Sequence, residues 1–448
     1  MRTVHAADPS PKNYQRNGNF LKHVFSTLLS AQALIGPSAE AQDSHYKFVG
    51  TGSCSSSNCH GGVQPRKSSS VLQNEYGTWV RHDKHSKAYT ALLTDDAKRM
   101  TALLGMKPPS EEPLCLKCHA TYVADPAQRG EKYQIEDGVS CESCHGAAEG
   151  WLESHAELGT KHSDNLAHGL TDTVSLESRA KLCLSCHYGD EEKSVTHNLY
   201  GVGHPRLRFE LDTFGILQPK HWVVDNDYIE RKGPYVPVKA WLMGHVVQAK
   251  EAIALLESSS RTKNGGLPEL SLFDCYSCHH NLTEEQWKQR TYGGAPGQLR
   301  LNLPSLIIIK EAISSLDSST SSELGELITA LHASFKNDGA ADHLDEISEI
   351  LDDKVAPIAR SITGDEENCL AVLHSLTAFA AKTEWPTYEV AEQIGMGIQA
   401  TMASSPTLSK KFEVELKELF ETLATPKAFT TERFMNSARK LNSVVSKR

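Results

Sequence analysis

Four pentapeptides in the chain repeat one pattern, Cys-x-x-Cys-His: Cys115-Leu-Lys-Cys118-His119, Cys141-Glu-Ser-Cys144-His145, Cys183-Leu-Ser-Cys186-His187 and Cys275-Tyr-Ser-Cys278-His279. With 11 Cys and 21 His in 448 residues, chance would supply roughly 0.01 of them. The pattern reads as covalent attachment of haem c. Two thiols bond the two vinyl groups of one porphyrin, and the adjacent His turns in beneath the iron as axial ligand. A zinc ribbon is the alternative, but zinc has no use for a His directly after every second Cys. A disulfide has none either.

A fifth site, Cys54-Ser-Ser-Ser-Asn-Cys59-His60, holds four residues between its cysteines instead of two. Small polar residues can bulge outward while both sulfurs still reach the vinyls, and the Cys-His adjacency is kept. The competing reading is a Cys54–Cys59 disulfide. Ten cysteines thus fill five haem sites, and Cys369, within the helical pattern Glu367-Asn-Cys-Leu-Ala-Val-Leu-His-Ser-Leu, remains as a small buried hydrophobe.

The axial ligands opposite His60, His119, His145, His187 and His279 come next. Besides these five and His5 and His23, 14 histidines remain, 11 of them within residues 42–300. Methionine, the other common ligand, occurs in the cysteine-rich segment only as Met100, Met106 and Met243. Bis-histidine ligation is therefore the expectation, and it places haem at lower potential than His/Met ligation does.

Several longer stretches resemble the multihaem cytochromes of the cytochrome c-554 class. They are Gly138-Val-Ser-Cys-Glu-Ser-Cys-His-Gly146 followed by Trp151-Leu-Glu-Ser-His155, His197-Asn-Leu-Tyr-Gly-Val-Gly-His204-Pro-Arg-Leu, Pro219-Lys-His-Trp222 and Asp274-Cys-Tyr-Ser-Cys-His-His280. The resemblance spans roughly residues 46–300. It implies a mostly helical, haem-packed fold and an exported electron-transfer role. Carried over position by position, it favours His85, His155, His197 and His204 as distal ligands. The Cys54–His60 site departs from the family's plain motif. Four distal candidates for five haems leave one iron open, with His221, His82 and His245 as further partners; His280 can reach only a neighbouring haem.

An iron without a distal ligand would admit small molecules, and relatives of this class include enzymes acting on nitrogen oxides and hydroxylamine. The alternative function is thus a multihaem oxidoreductase turning over hydroxylamine, nitric oxide or nitrite at one five-coordinate haem. Against it, the chain has no Cys-x-x-Cys-Lys, the signature of nitrite-reducing multihaem enzymes. Electron relay is the preferred reading, with no catalytic residue assigned.

The elements that position these sites follow from composition. The chain carries 46 Lys+Arg against 56 Asp+Glu, a net charge of −10, which argues against an electrostatic nucleic-acid binder. Residues 1–41 read as a signal peptide: Arg16 and Lys22 flank the apolar run Val24–Ile35, and Ala39-Glu40-Ala41 gives a small-x-small cleavage pattern. A retained amphipathic start is the other reading. Removal would leave −12, so the surface should favour a positively charged redox partner. A periplasmic or otherwise exported location follows, with a quinol-oxidising membrane complex or other cytochromes as partners. No run of 18 apolar residues exists, so no membrane span is expected.

The expected fold is mainly α: a haem-packed multihaem cytochrome c module with little regular sheet over residues 42–300, then an α-helical bundle over 301–448. Val238–Glu257 carries a 3.6-residue apolar face, Ser258–Pro268 reads as a loop, and Gly293–Gly297 as a linker. Helices are expected over Leu306–Leu316, Ser322–Phe335, His343–Ala356, Glu366–Ala381, Thr387–Met402, Ser409–Leu423 and Thr431–Val445. Residues 54–279, if compact, have a radius of gyration of roughly 17 Å, which keeps five haems within roughly 20 Å of a neighbour.

Overall fold

The computed structural model describes residues 46–67, 71–262, 269–279, 299–334, 340–382, 388–425 and 427–447. The signal-peptide reading, His280 and the Gly293–Gly297 linker lie outside these residues. The fold is mainly α, and among the described residues β-pairing is limited to isolated bridges such as Phe273 with Leu301.

Up to residue 232 the elements are short. Typical are the helices Glu75–His82, Asp95–Leu103, Pro113–His119, Cys141–His145, Leu176–His187 and Leu211–Leu217. Local capping starts several of them. The Thr94 hydroxyl accepts from Ala97 N–H, Ser175 from Ser178 N–H, and the Asp225 carboxylate from Tyr228 N–H. Apolar packing here is sparse. One buried cluster holds only Leu92, Leu116 and Ala120, so the fold of this region leans on turns, caps and whatever its cysteines and histidines hold.

The C-terminal half has the opposite character. Helices Pro304–Ala312, Ser318–Ser334, Glu366–Lys382, Tyr388–Ser404, Glu413–Thr422 and Thr431–Val445 enclose one large core. Pro304 opens its helix at the position where a missing N–H costs nothing. Leu306, Ile307, Ile308 and Ile309 are all buried, as in a helix surrounded by others. The helix expected at His343–Ala356 is part of a longer run, Ala340–Ile350 passing through one π-helical stretch, Leu351–Val355, into Ala356–Ser361. That expected at Ser409–Leu423 is broken into Pro406–Lys411 and Glu413–Thr422.

The two halves meet on one long helix, Pro237–Thr262, which continues through residues 258–262 of the expected Ser258–Pro268 loop, the rest of which lies outside the described residues. Its Trp241, Leu242, Val246, Ala249, Ile253 and Leu256 enter the large core, whereas Ala240 and Val247 join a second cluster with Ala180, Leu184, Phe209 and Leu211. Each fully buried large side chain contributes about 1.5–3 kcal/mol. Trp241 lies against Gly397, where an added Cβ would sit 2.4 Å from the indole ring. Replacing a helical Gly by Ala normally gains about 1 kcal/mol. Here Gly397→Ala should instead destabilise by about 1–3 kcal/mol through overpacking. A lowered thermal midpoint by circular dichroism is the expected result, and a raised one would contradict this packing.

Candidate haem-binding sites

Numbered I to V in chain order, the five cysteine sites are built locally. In sites II, III and IV the two cysteines lie three apart on a short helix, which puts both thiols on one face with the His beyond them. Glu112 and Pro113 start the site II helix, and Gly146, at φ +80°, ends that of site III. An added Cβ on Gly146 would meet the Gly169 carbonyl at 2.6 Å, so the turn requires glycine. In site I the extra residues form a turn: Cys59 N–H donates to Ser56 O at 2.9 Å and His60 N–H to Cys54 O at 3.1 Å. Cys54 and Cys59 are not joined by a disulfide.

Four of the five site histidines meet a second histidine from a distant segment. His60 and His155 have ring centroids 6.2 Å apart and planes 14° apart. His197 and His279 stand at 6.1 Å and 27°. The rings of His85 and His187 are 6.1 Å apart at 88°, and those of His145 and His221 are 6.4 Å apart at 81°. His204 lies within electrostatic reach of His119. An imidazole nitrogen bonds a transition metal at about 2 Å, so two rings ligating one ion from opposite sides have centroids about 6 Å apart.

The hydrogen bonds suit that role. Nδ1 of His60 meets Glu75 Oε2 at 3.0 Å, and Nδ1 of His85 meets Asp83 Oδ1 at 2.9 Å. Backbone carbonyls take Nδ1 of His119 (Ala88 O, 3.1 Å), His155 (Leu152 O, 2.6 Å) and His204 (Pro205 O, 2.7 Å). A carbonyl fixes the proton on Nδ1 and leaves Nε2 as the metal-binding atom. The Glu75 hydrogen bond lifts His60 above its ordinary pKa, and Asp83 does the same for His85. Burial, reinforced by His221, holds His145 at about 4. Burial, with His85 beyond, holds His187 at about 4 between Phe209 and Phe214. Both rings are therefore neutral near pH 7 with a lone pair to give.

Of the four carried-over distal positions, His85, His155 and His197 each face one site histidine in ring contact, and His204 approaches His119. Of the three further partners, His221 faces His145. His82 is exposed at the end of its helix. His245 is buried in the core, its Nδ1 3.2 Å from Ser305 Oγ. Sequence reasoning missed Glu75, Asp83, Glu142 and Glu269. Asp83-Lys-His85 is a legible carboxylate-to-His spacing, but Glu75 lies 15 residues from His60 and gives no local signal. Glu142, buried inside the site III motif, accepts from Val49, Gly50 and Ala148 N–H at 2.8–2.9 Å and so ties sites I and III. Glu269 accepts His197 N–H at 2.8 Å and Ser271 N–H at 3.3 Å, linking the two sides of site V.

Neighbouring sites touch in an order that differs from the chain. Cys54 and Cys141 are electrostatic neighbours, and Glu142 holds the backbone ahead of Cys54, joining I to III. Cys144, pushed up to about 12 by burial, faces Cys183 and Cys186, joining III to IV. Cys186 Sγ lies 3.8 Å from the Lys117 carbonyl, one residue before Cys118, joining IV to II. The Tyr200 ring stands 6.3 Å from His204 and faces Cys275, joining II to V. The spatial order is I–III–IV–II–V. The cysteines at its ends, Cys59, Cys275 and Cys278, are exposed, and those between are at least half-buried.

Paired thiols beside a His, with a second imidazole at a centroid separation of 6.1–6.4 Å at four of the five sites, fit haem c. Among the described residues no three His, Cys, Asp or Glu side chains converge as a zinc site would need. No helix among them is long and apolar enough to cross a membrane. Residues 53–146, which contain sites I to III together with Glu75 and His85, match the family described as cytochrome c554 and c-prime. That segment is thus similar to c-type cytochromes, a family of covalently bound haem and electron transfer. No curated protein and no solved structure matches the chain.

A carboxylate on Nδ1–H makes the ligating ring more basic, which favours ferric iron. Glu75→Gln and Asp83→Asn should therefore each raise the reduction potential of one haem, sites I and IV respectively. Potentials unmoved in spectroelectrochemical titration would show that these carboxylates do not act through the rings.

Proposed function

We propose that the chain is an exported pentahaem c-type cytochrome that relays electrons between redox partner proteins. The reading is carried by one observation: the site histidines of I, III, IV and V each stand in ring contact with a second histidine from a distant segment. On this reading Cys54/Cys59, Cys115/Cys118, Cys141/Cys144, Cys183/Cys186 and Cys275/Cys278 attach haem c, and His60, His119, His145, His187 and His279 are the proximal ligands. His155, His204, His221, His85 and His197 are then their distal partners, in that order. Bound haem c supplies an iron that takes up and gives back one electron.

The protein's own contribution is placement and tuning. Its turns bring the sites together as I–III–IV–II–V, so an electron entering at one exposed end has a neighbour at each step and leaves at the other. Burial around His145 and His187 keeps those imidazoles neutral, and two ligands per iron leave no place for a substrate. The contact of His221 with His145 supports a second ligand at site III, and the electrostatic reach of His204 to His119 supports one at site II, against the open iron that the oxidoreductase alternative requires. The acidic net charge of −10 supports a basic redox partner for encounter.

The reading is tested on haem-loaded protein purified from an exporting host. Intact mass should show five haem additions, and Cys59→Ala should weaken the attachment at site I alone. All ferric irons should be low-spin and unreactive with nitric oxide, hydroxylamine and nitrite. Three or fewer haems would overturn the pentahaem assignment. A high-spin signal that disappears on adding a nitrogen oxide, with steady turnover, would move the protein to the enzyme class.

A further inference from the structure

The C-terminal helices bear no site motif, yet they converge on site V. The backbone of residues 300–302 pairs with the segment leading into it: Asp274 N–H donates to Arg300 O and Asn302 N–H to Leu272 O, both at 2.8 Å. The nearly buried Arg300 guanidinium also grips the Asp274 carboxylate, one residue before Cys275. Leu301 N–H is held at 3.2 Å by Nε2 of the buried His332, whose Nδ1 is 2.7 Å from Ile328 O.

A second convergence is electrostatic. Arg206 and Arg208 follow His204 on an extended segment, and Arg206 faces Cys275 and Tyr200. Glu389 and Glu392, three apart at the start of helix Tyr388–Ser404, reach across to them. Glu389 pairs with Arg206, and Glu392 Oε1 lies 3.0 Å from Arg208 Nη1. Tyr388 Oη also donates to Glu392 Oε1 at 3.3 Å and approaches Leu423 O at 3.1 Å, which fixes that end of the helix. Gln393 Nε2 donates to Phe209 O at 3.3 Å, fixing the Arg-bearing segment as well.

We propose that the C-terminal helical segment tunes the haem of site V, with Glu389 and Glu392 as positioning residues that screen Arg206 and Arg208. The proposal deepens the relay reading and rests on it. Reduction adds one negative charge at the site. A guanidinium is always charged and favours the reduced form; a paired carboxylate offsets it. Arg206 and Arg208 are exposed and so partly screened by solvent, whereas Glu392, Arg300 and Asp274 are largely shielded from it. The three pairs Arg206–Glu389, Arg208–Glu392 and Arg300–Asp274 thus set the field at the exposed end of the relay. An end haem whose potential is fixed by a separate segment can be matched to its partner without disturbing the four behind it.

The test uses the full haem-loaded chain, titrated by spectroelectrochemistry. Glu389→Gln with Glu392→Gln should raise one potential of the five, and Arg206→Gln should lower that same one. Combining Arg206→Gln with Glu389→Gln should return it toward the starting value. The potential that moves should be the one missing from a Cys275→Ala/Cys278→Ala variant. Five unmoved potentials, or five moving together, would overturn the proposal. Peptide mass spectrometry separates this from failure of the underlying reading: a Cys275–Cys278 peptide without haem overturns the pentahaem assignment itself.

Discussion

Two imidazole rings that must face one another across about 6 Å are a severe constraint on a chain. The sites couple residues as far apart in sequence as His85 and His187, or His60 and His155, so the backbone has to return repeatedly to places it left long before. Short helices, single 3-10 turns and extended connections do this; long regular elements would not. The same constraint accounts for the sparse apolar packing before residue 232. Where ligands and thioethers are to hold the chain, a large hydrocarbon core is not needed and has little room.

Burial then makes the constraint chemically useful. An imidazole without water near it resists protonation, which is why His145 and His187 sit at about 4. Where a carboxylate reaches the ring, at His60 and His85, the proton is held on Nδ1 and Nε2 is left free to ligate. Glu142 and Glu269 act one step further out, on backbone N–H groups, and fix the distance between elements. The large C-terminal core supplies rigidity of another kind. The Pro237–Thr262 helix belongs to it and also to the cluster around Leu184, so the site IV helix is anchored to the most tightly packed part of the protein.

The cysteine motifs were legible because a c-type pattern is strictly local: two cysteines and a histidine within five residues, or seven at Cys54–His60. The C-terminal helices were legible from periodicity, with errors at their ends. Phe412 interrupts one expected helix, and a π-helical stretch joins others, because tertiary packing decides continuity. His85, His155, His197 and His204 came from family resemblance, and nothing in their spacing states which site each one meets. His221 stood in one of the resembling stretches, yet remained one of three further candidates. Its approach to His145 depends on how the chain runs between helices Leu211–Leu217 and Asn226–Lys232. The order I–III–IV–II–V was hidden for the same reason, since Cys54 meets Cys141 and Cys118 meets Cys186 only in three dimensions.

The central claim is that paired histidines from remote segments hold five irons in that spatial order. Anomalous diffraction at the iron edge, from crystals of the haem-loaded protein, tests it most directly. The account predicts five iron peaks, one between each of the pairs His60–His155, His119–His204, His145–His221, His187–His85 and His279–His197, with nearest neighbours running I–III–IV–II–V. An iron with a single histidine, or peaks whose neighbours follow the order of the motifs along the chain, would contradict it.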